Sequence, residues 1–153
     1  MFPPDPLHAN TKSGLADIEE QEHPRWFGPR VRAVAVVLPA ERALGWAPEM
    51  MAHNNPGFDI TSVDPRTGEI TFIEVKGRIA GATSFFVTNN EIQHGQNAGR
   101  QYRLALVEVS PQGPEHDVVR YVDGPFRDVA VTALVKGVQF NWAKAWAEGQ
   151  APW

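Results

Sequence analysis

The amino-acid sequence predicts an α/β domain, with a mixed, mostly antiparallel central sheet of about five strands flanked by helices. The first observation is a pair of segments, 58–63 and 70–76, rich in β-branched and aromatic residues and joined by turn-forming residues at 64–68. The second is an apolar run at 102–109, which favours a central strand. The third is a helix-capping pattern at 88–91, which places a helix within the series of strands.

The chain has 153 residues, which is the length of one domain and enough to bury a core. Residues 1–29 are polar and rich in proline, and we expect them to form an extended arm or linker. Within this arm, Leu15 to Gln21 could form a short helical turn, and Trp26 with Phe27 could dock the arm on the body. Residues 30–153 are expected to form a single domain.

Composition restricts the class of protein. The absence of cysteine excludes disulfides and thiolate metal sites within the chain. No apolar run approaches the ~18 residues of a membrane span, and the N-terminus lacks a signal-peptide layout, so we expect a cytoplasmic protein without membrane contact. The net charge of −4 is not that of a non-specific nucleic-acid binder. Acidic residues predominate in 31–75 and basic residues in 76–103, which suits a phosphodiester, although a solvated face explains this small asymmetry nearly as well.

The elements before the hairpin are a helix and a strand. The helix should run from Arg30 to Leu44 and end at Gly45. Pro39 should kink or break it, and its valine-rich first half is also compatible with a strand. We expect a strand from Pro48 to His53, and a flexible loop from Gly77 to Ala82 after the hairpin.

The second half alternates strands and helices. Thr88 and Glu91 have the form of a capping box, Gly99 is suited to end the helix that follows, and Asn141 is suited to cap the last helix. The indoles of that last helix should pack on the body rather than stack on bases. The expected elements are strands at Ser84–Val87, Tyr102–Val109 and Val118–Val122, and helices at Asn89–Ala98 and Phe140–Glu148.

The hairpin brings ionisable residues together. If Val63 faces Ile70, antiparallel pairing places Asp59 opposite Glu74, and Lys76 shares the face of Glu74. Opposed residues have Cβ atoms about 4.5–5.5 Å apart, so two carboxylates there need a compensating cation or a shifted pKa. Mg²⁺ would supply the cation, and a lysine nearby can orient or deprotonate a metal-bound water. A one-residue slip would instead turn Asp59 away, and a solvated hairpin face explains the same residues.

Three blocks of sequence resemble one known family. Asp59 and the triplet Glu74-Val75-Lys76 are separated by fourteen residues, which fits the PD-(D/E)xK nuclease signature with Gly57-Phe58-Asp59 at its start. Together with Ile73-Glu74-Val75-Lys76 and Thr88-Asn89-Asn90-Glu91, the Gly57 to Ile60 block resembles the NO VEIN C-terminal domain family. This family is of unknown function, is often found behind helicase or ATPase modules in bacteria, and is related to the restriction-endonuclease-like fold. The resemblance covers about Val31 to Phe126.

The resemblance implies a restriction-endonuclease-like fold with a site for Mg²⁺ or Mn²⁺. Asp59 and Glu74 would be metal ligands, the Val75 carbonyl a third ligand, and Lys76 a catalytic residue beside the attacking water. Glu41, on the first helix, is an outer-shell candidate or simply a surface residue near the helix end. A polar residue on the helix after Thr88 often faces the site in related nucleases, and the candidates are Gln93, His94 and Gln96. A solvated helix face is the alternative for these residues, and the one that we favour.

Two functions of different classes follow. The first is a Mg²⁺- or Mn²⁺-dependent phosphodiesterase on DNA, in bacterial defence or DNA processing. The second is a catalytically silent module that keeps the fold and binds nucleic acid or a helicase or ATPase partner. A third possibility, a structural interaction domain without a functional site, would require that Asp59 and Glu74 do not act together.

Overall fold

The structure is a computed structural model that describes residues 28–153. The predictions for Leu15 to Gln21, Trp26 and Phe27 therefore lie outside the described residues. Single 3₁₀ turns occur at Gly99–Gln101 and Pro114–His116. The helices are α1 (Pro29–Ala43), α2 (Asn89–Ala98) and α3 (Trp142–Glu148), and the strands are β1 (Ala47–Met50), β2 (Ile60–Val63), β3 (Ile70–Ile79), β4 (Ser84–Thr88), β5 (Tyr102–Val109), β6 (Val118–Asp123) and β7 (Gly137–Asn141).

The central sheet has five strands in the order β1-β2-β3-β5-β6. Strands β3 and β5 are parallel, and the other neighbouring pairs are antiparallel. A parallel pair needs a long crossover, and here β4 and α2 form the connection from β3 to β5. The prediction of a mixed, mostly antiparallel five-stranded sheet is confirmed. Strand β7 was not predicted; it pairs with β4 in a separate two-stranded sheet.

Helices and the small sheet cover the two faces of the central sheet. On the first face, Ala33 and Val37 of α1 pack against the odd-numbered residues of β3 and β5, including Ile73 and Ala105. The second face carries Leu104 and other even-numbered β5 residues, which pack with residues of the small sheet, α2 and α3. Because side chains alternate along a strand, Glu74 and Lys76 of β3 belong to the second face.

The predicted first helix is confirmed, and the alternative of a strand is wrong. Helix α1 runs through Pro39 without a break. Its fully buried residues, Ala33, Val37 and Glu41, follow at intervals of four and form one stripe against the sheet. Pro39 lies outside this stripe and is exposed, so the packing of the stripe continues past it.

Strand β3 is longer than predicted, and β1 is shorter. The expected flexible loop at Gly77–Ala82 is wrong in its first half, because Gly77 to Ile79 continue β3 and pair with β5. A Cβ atom at Gly77 would lie 2.3 Å from the Pro29 carbonyl oxygen. Glycine is thus required where α1 crosses the strand, and the residue does not mark a loop.

The caps of α2 and α3 are those expected. Thr88 and Glu91 form the complete capping box, and Gly99, with φ of 57°, ends α2. The Asn141 side chain accepts a hydrogen bond from the Lys144 N–H at the start of α3. This helix begins later than predicted because Phe140 belongs to β7. None of the helices in residues 28–153 has the length and apolarity to cross a membrane.

Candidate active site

The pairing of β2 with β3 sets the position of Asp59. Val63 lies opposite Ile70, and Thr61 lies opposite Phe72, so the expected register is confirmed. Asp59 immediately precedes β2, and its N–H donates to the Ile73 carbonyl at 2.9 Å. This register places Asp59 beside Glu74.

The Asp59 carboxylate is held by two donors. Its Oδ2 accepts a hydrogen bond from the Val75 N–H at 2.9 Å. Val75 lies beyond the residues that pair with β2, which begins at Ile60, so the carboxylate takes the place of a backbone carbonyl as acceptor. Its Oδ1 accepts from Nη2 of Arg30, in the first turn of α1, at 3.1 Å. The N–H and C=O of one strand residue point to the same side. The Val75 carbonyl therefore lies on the strand edge that Asp59 occupies.

Lys76 joins two further carboxylates. Its Nζ lies 2.7 Å from Oε1 of Glu74 and 2.7 Å from Oε2 of Glu91. Glu91 Oε2 also accepts the Thr88 N–H at 3.0 Å, so the capping box holds Glu91 towards β3. The capping-box pattern in the sequence predicts only the helix-capping contact of Glu91. The contact of Glu91 with Lys76 follows from the position of α2, which comes directly after β4 and has its first turn over the second face of the sheet.

Burial and charge set the protonation of this cluster. Glu74 is 4% exposed. Burial raises the pKa of Glu74 to about 8, opposed by the charge of Lys76 and reinforced by those of Asp59 and Glu91. Burial by itself would lower the pKa of Lys76, but the carboxylates of Glu74 and Glu91 raise it above the usual range. Lys76 therefore remains a cation, and the raised pKa of Glu74 favours its protonated form near neutral pH in the metal-free protein.

A cleft of about 210 Å³ is lined by Glu74, Lys76 and Glu91. Two arginines, Arg30 and Arg78, line the same cleft, and both are exposed. Larger cavities of about 430 and 400 Å³ do not contain Glu74, Lys76 or Glu91, but the second of them is lined by Asp59 and shares Arg30 with the cleft. Buried carboxylates below exposed guanidinium groups suit a ligand that combines a metal with phosphate.

The family model described as Protein NO VEIN, C-terminal, matches residues 31–122. The chain belongs to this family. Comparison with curated proteins gives no match. Among solved structures, the NO VEIN C-terminal chain is similar to Hjc, a Holliday junction resolvase from the archaeal hyperthermophile Archaeoglobus fulgidus. The TM-score is 0.53 at 17% identity, over 81% of this chain and 92% of the resolvase chain. The restriction-endonuclease-like fold is thereby confirmed.

The Gly57-Phe58-Asp59 block of this NO VEIN C-terminal domain has a packing reason at each position. A Cβ atom at Gly57 would lie 2.3 Å from the His94 ring. The Gly57 carbonyl accepts a hydrogen bond from the buried Tyr102 hydroxyl at 2.9 Å, and burial raises the pKa of Tyr102, so this donor keeps its proton. The Phe58 ring lies 4.9 Å from that of Phe72. These contacts fix the backbone that carries Asp59.

Glu41 does not join the other candidates. It is fully buried on the first face of the sheet, where its Oε1 lies 3.9 Å from Nη1 of Arg103. Glu74 and Lys76 lie on the second face. The expectation of an outer-shell role for Glu41 is therefore wrong. Glu41 lies on the buried side of α1, which packs on the first face of the sheet, and the cleft is on the second face.

The helix α2 candidates also have other partners. Gln96 donates to the carbonyls of Phe126 and Val129, His94 packs edge-on against Phe58, and Gln93 is exposed. Glu91 is the α2 residue that contacts the cluster.

The residues of the cluster fit a hard divalent cation. Asp59, Glu74 and the Val75 carbonyl offer oxygen donors, which Mg²⁺ and Mn²⁺ prefer. Asp59, Glu74 and Glu91 carry three potential negative charges, against two positive charges on Arg30 and Lys76. Within residues 28–153, no group of three or more His, Cys, Asp or Glu side chains gathers at ligand spacing. Two carboxylates suffice for Mg²⁺, which usually keeps several water ligands.

Proposed function

We propose that this protein is a Mg²⁺- or Mn²⁺-dependent phosphodiesterase that acts on DNA. Asp59, Glu74 and the Val75 carbonyl would hold the metal, and Lys76 would act beside the attacking water. The observation that carries the proposal is the cluster of Asp59, Glu74 and Lys76, of which Glu74 and Lys76 line a cleft together with two exposed arginines. The fold supports it, since a Holliday junction resolvase shares that fold.

Each residue of the cluster has a separate task. A bound metal would polarise a phosphoryl oxygen and lower the pKa of a bound water. Glu74 would lose its proton on metal binding, and the Val75 N–H would keep Asp59 in place. Lys76, held by Glu91, would place positive charge where negative charge develops on the phosphoryl oxygens. Its raised pKa favours this electrostatic role over that of a general base.

The first prediction concerns the metal. Mn²⁺ should raise the melting temperature of the wild type, because a ligand that binds only the native state stabilises it. Asp59→Asn should abolish this rise while leaving the metal-free stability almost unchanged, since an amide oxygen can still accept the Val75 N–H. Asp59→Ala should cost about 1–3 kcal/mol without metal, because that N–H loses its partner.

The control for this measurement is Glu69→Gln, which removes an exposed carboxylate from the same hairpin. It should retain the full metal-induced rise. A rise that survives in Asp59→Asn would place the metal elsewhere.

The second prediction concerns cleavage. Single-stranded, double-stranded and branched DNA should be incubated with the protein and Mg²⁺ or Mn²⁺, and cleavage should be followed over time. Lys76→Ala should lose roughly a hundredfold or more in rate, as expected for loss of an electrostatic group, and should still show the Mn²⁺-induced rise. If wild type and variant are equally inactive but bind DNA, the protein is a binding module and the phosphodiesterase proposal fails.

A further inference from the structure

Arg30 contacts the proposed metal site without belonging to its ligand set. Its guanidinium lies 3.1 Å from Asp59 Oδ1, and the two side chains are 60% and 14% exposed. An ion pair with one exposed partner contributes little to stability, usually below about 1 kcal/mol. Substitution of Arg30 should therefore leave the fold intact and change the site alone.

The two oxygens of Asp59 have different partners. Oδ2 accepts the Val75 N–H, a buried backbone donor that would be costly to leave unpaired. Oδ1 accepts only the exposed Arg30 side chain among the described residues 28–153. The oxygen that is easier to release to a cation is thus the one that Arg30 covers.

Arg78 provides an internal comparison. It is exposed at the end of β3 and lines the same cleft as Arg30. In the described part of the chain it has no ion pair with an acidic residue. The two arginines therefore add the same charge to the cleft, but only Arg30 contacts a carboxylate of the site.

We propose that Arg30 exchanges between Asp59 and the nucleic acid: it covers Asp59 Oδ1 in the metal-free protein and turns to a backbone phosphate when metal binds. This inference rests on the proposed function. Guanidinium groups bind carboxylate and phosphate with the same planar fork, so the exchange replaces one charge-assisted contact by another. Metal binding frees Arg30 for a phosphate, and binding of Arg30 to a phosphate frees Asp59 Oδ1 for the metal. By linkage, each ligand therefore raises the affinity for the other.

The metal half of the test uses calorimetric titration of Mn²⁺ without DNA. Arg30→Ala and Arg78→Ala both remove one positive charge from the cleft, so any shared increase in affinity is electrostatic. Arg30→Ala should raise the Mn²⁺ affinity at least threefold more than Arg78→Ala does, because it also uncovers Oδ1. Equal effects of the two substitutions would overturn the exchange.

The nucleic-acid half uses the salt dependence of binding to a phosphorothioate DNA duplex, which keeps the phosphate charge and resists cleavage. In wild type, Mn²⁺ should steepen the slope of log K against log salt through the phosphate contact of the metal itself and through the added contact of Arg30. In Arg30→Ala the steepening should be smaller by roughly 0.9, the value for one phosphate contact, because only the contact of the metal remains. Arg78→Ala should show the full wild-type steepening, starting from a shallower slope with and without metal. An equal metal-induced change in wild type and Arg30→Ala would contradict the proposal.

Failure of this inference can be told apart from failure of the proposed function. If wild type binds Mn²⁺ and Arg30→Ala behaves like Arg78→Ala, only the exchange falls. If neither wild type nor Arg30→Ala binds Mn²⁺, the metal site and the exchange both fall. Binding by Arg30→Ala but not by wild type would support Arg30 as the group that covers Asp59.

Discussion

At the scale of single residues, the buried Glu74 carboxyl explains how the metal-free site tolerates its own charges. Lys76 is shared between Glu74 and Glu91, so one cation faces two carboxylates. Asp59 adds a third negative charge nearby and has its own partner in Arg30. A proton on Glu74 removes the excess charge, which is the state that its raised pKa describes. A divalent cation would do the same when that proton leaves.

This protonation predicts how stability depends on pH. The pKa of Glu74 rises from 4.5, the value expected in the unfolded chain, to about 8 in the folded protein. The native state thus binds more protons than the unfolded state between these values, and Glu74 makes the protein less stable as pH rises through this window. Melting temperatures measured in EDTA from pH 5 to 9 should show this fall in wild type, and Glu74→Gln should reduce it.

Glu69→Gln is the control for this series, because Glu69 is exposed and should follow the wild-type curve. A Glu74→Gln profile parallel to wild type across pH 5 to 9 would show that Glu74 is ionised in the folded protein. The charge excess would then have to be removed by another group.

At the scale of elements, the packing of α1 on β3 positions Arg30 beside Asp59. Gly77 is the point of closest approach, since an added Cβ would lie 2.3 Å from the Pro29 carbonyl oxygen and 2.6 Å from the Ala33 Cβ. Neither neighbour is the free end of a flexible side chain. Helix α1 would have to move away from the strand to accept any larger residue.

Gly77→Ala should therefore destabilise the protein by about 1–3 kcal/mol, the usual cost of overpacking. The displacement of α1 should also weaken the Arg30–Asp59 contact, so the Mn²⁺ affinity should rise in the direction predicted for Arg30→Ala. Urea unfolding and calorimetric titration measure the two effects. Wild-type stability in Gly77→Ala would show that α1 does not lie this close to β3.

The hairpin illustrates what a sequence can predict at this scale. Its register follows from a short turn, 64–68, and from pairing of residues close in sequence, so Asp59 and Glu74 could be placed together correctly. The extension of β3 past Gly77 pairs with β5 and places Gly77 against a helix more than forty residues earlier in the chain. The pairing of Phe140 with Phe85 joins segments still further apart. Neither contact leaves a local pattern in the sequence.

Glu91 and Glu41 show the same limit for the site. The capping box made Glu91 recognisable, but its contact with Lys76 depends on how α2 lies over the sheet. Glu41 was assigned to the metal shell through the family resemblance, whereas the rotation of α1 about its axis turns it to the opposite face. The placement of residues within one hairpin was predictable, while contacts assembled from separate elements were not.

At the scale of the whole molecule, the sheet separates two charged clusters. The cleft with Glu74 lies on the second face. On the first face, Glu41 lies near Arg103, whose guanidinium stacks over the rings of Tyr121 and Trp153 at 4.8 and 4.5 Å. Arg103 also pairs with Asp123 at 2.9 Å. This second cluster joins α1, β5, β6 and the C-terminal residue, and we expect it to serve stability rather than chemistry.

The separation of the faces gives the last prediction. Glu41→Ala should destabilise the protein by roughly 2–5 kcal/mol, because it leaves a cavity at a fully buried position. Asp123→Asn removes the other carboxylate partner of Arg103, but Asp123 is 46% exposed, so its loss should cost no more than about 1 kcal/mol. Both variants should keep the wild-type Mn²⁺ affinity, since neither residue lies on the cleft side. Urea unfolding and calorimetry below the unfolding transition measure the two quantities separately. A tenfold loss of Mn²⁺ affinity in Glu41→Ala, with no loss in Asp123→Asn, would return Glu41 to the metal site.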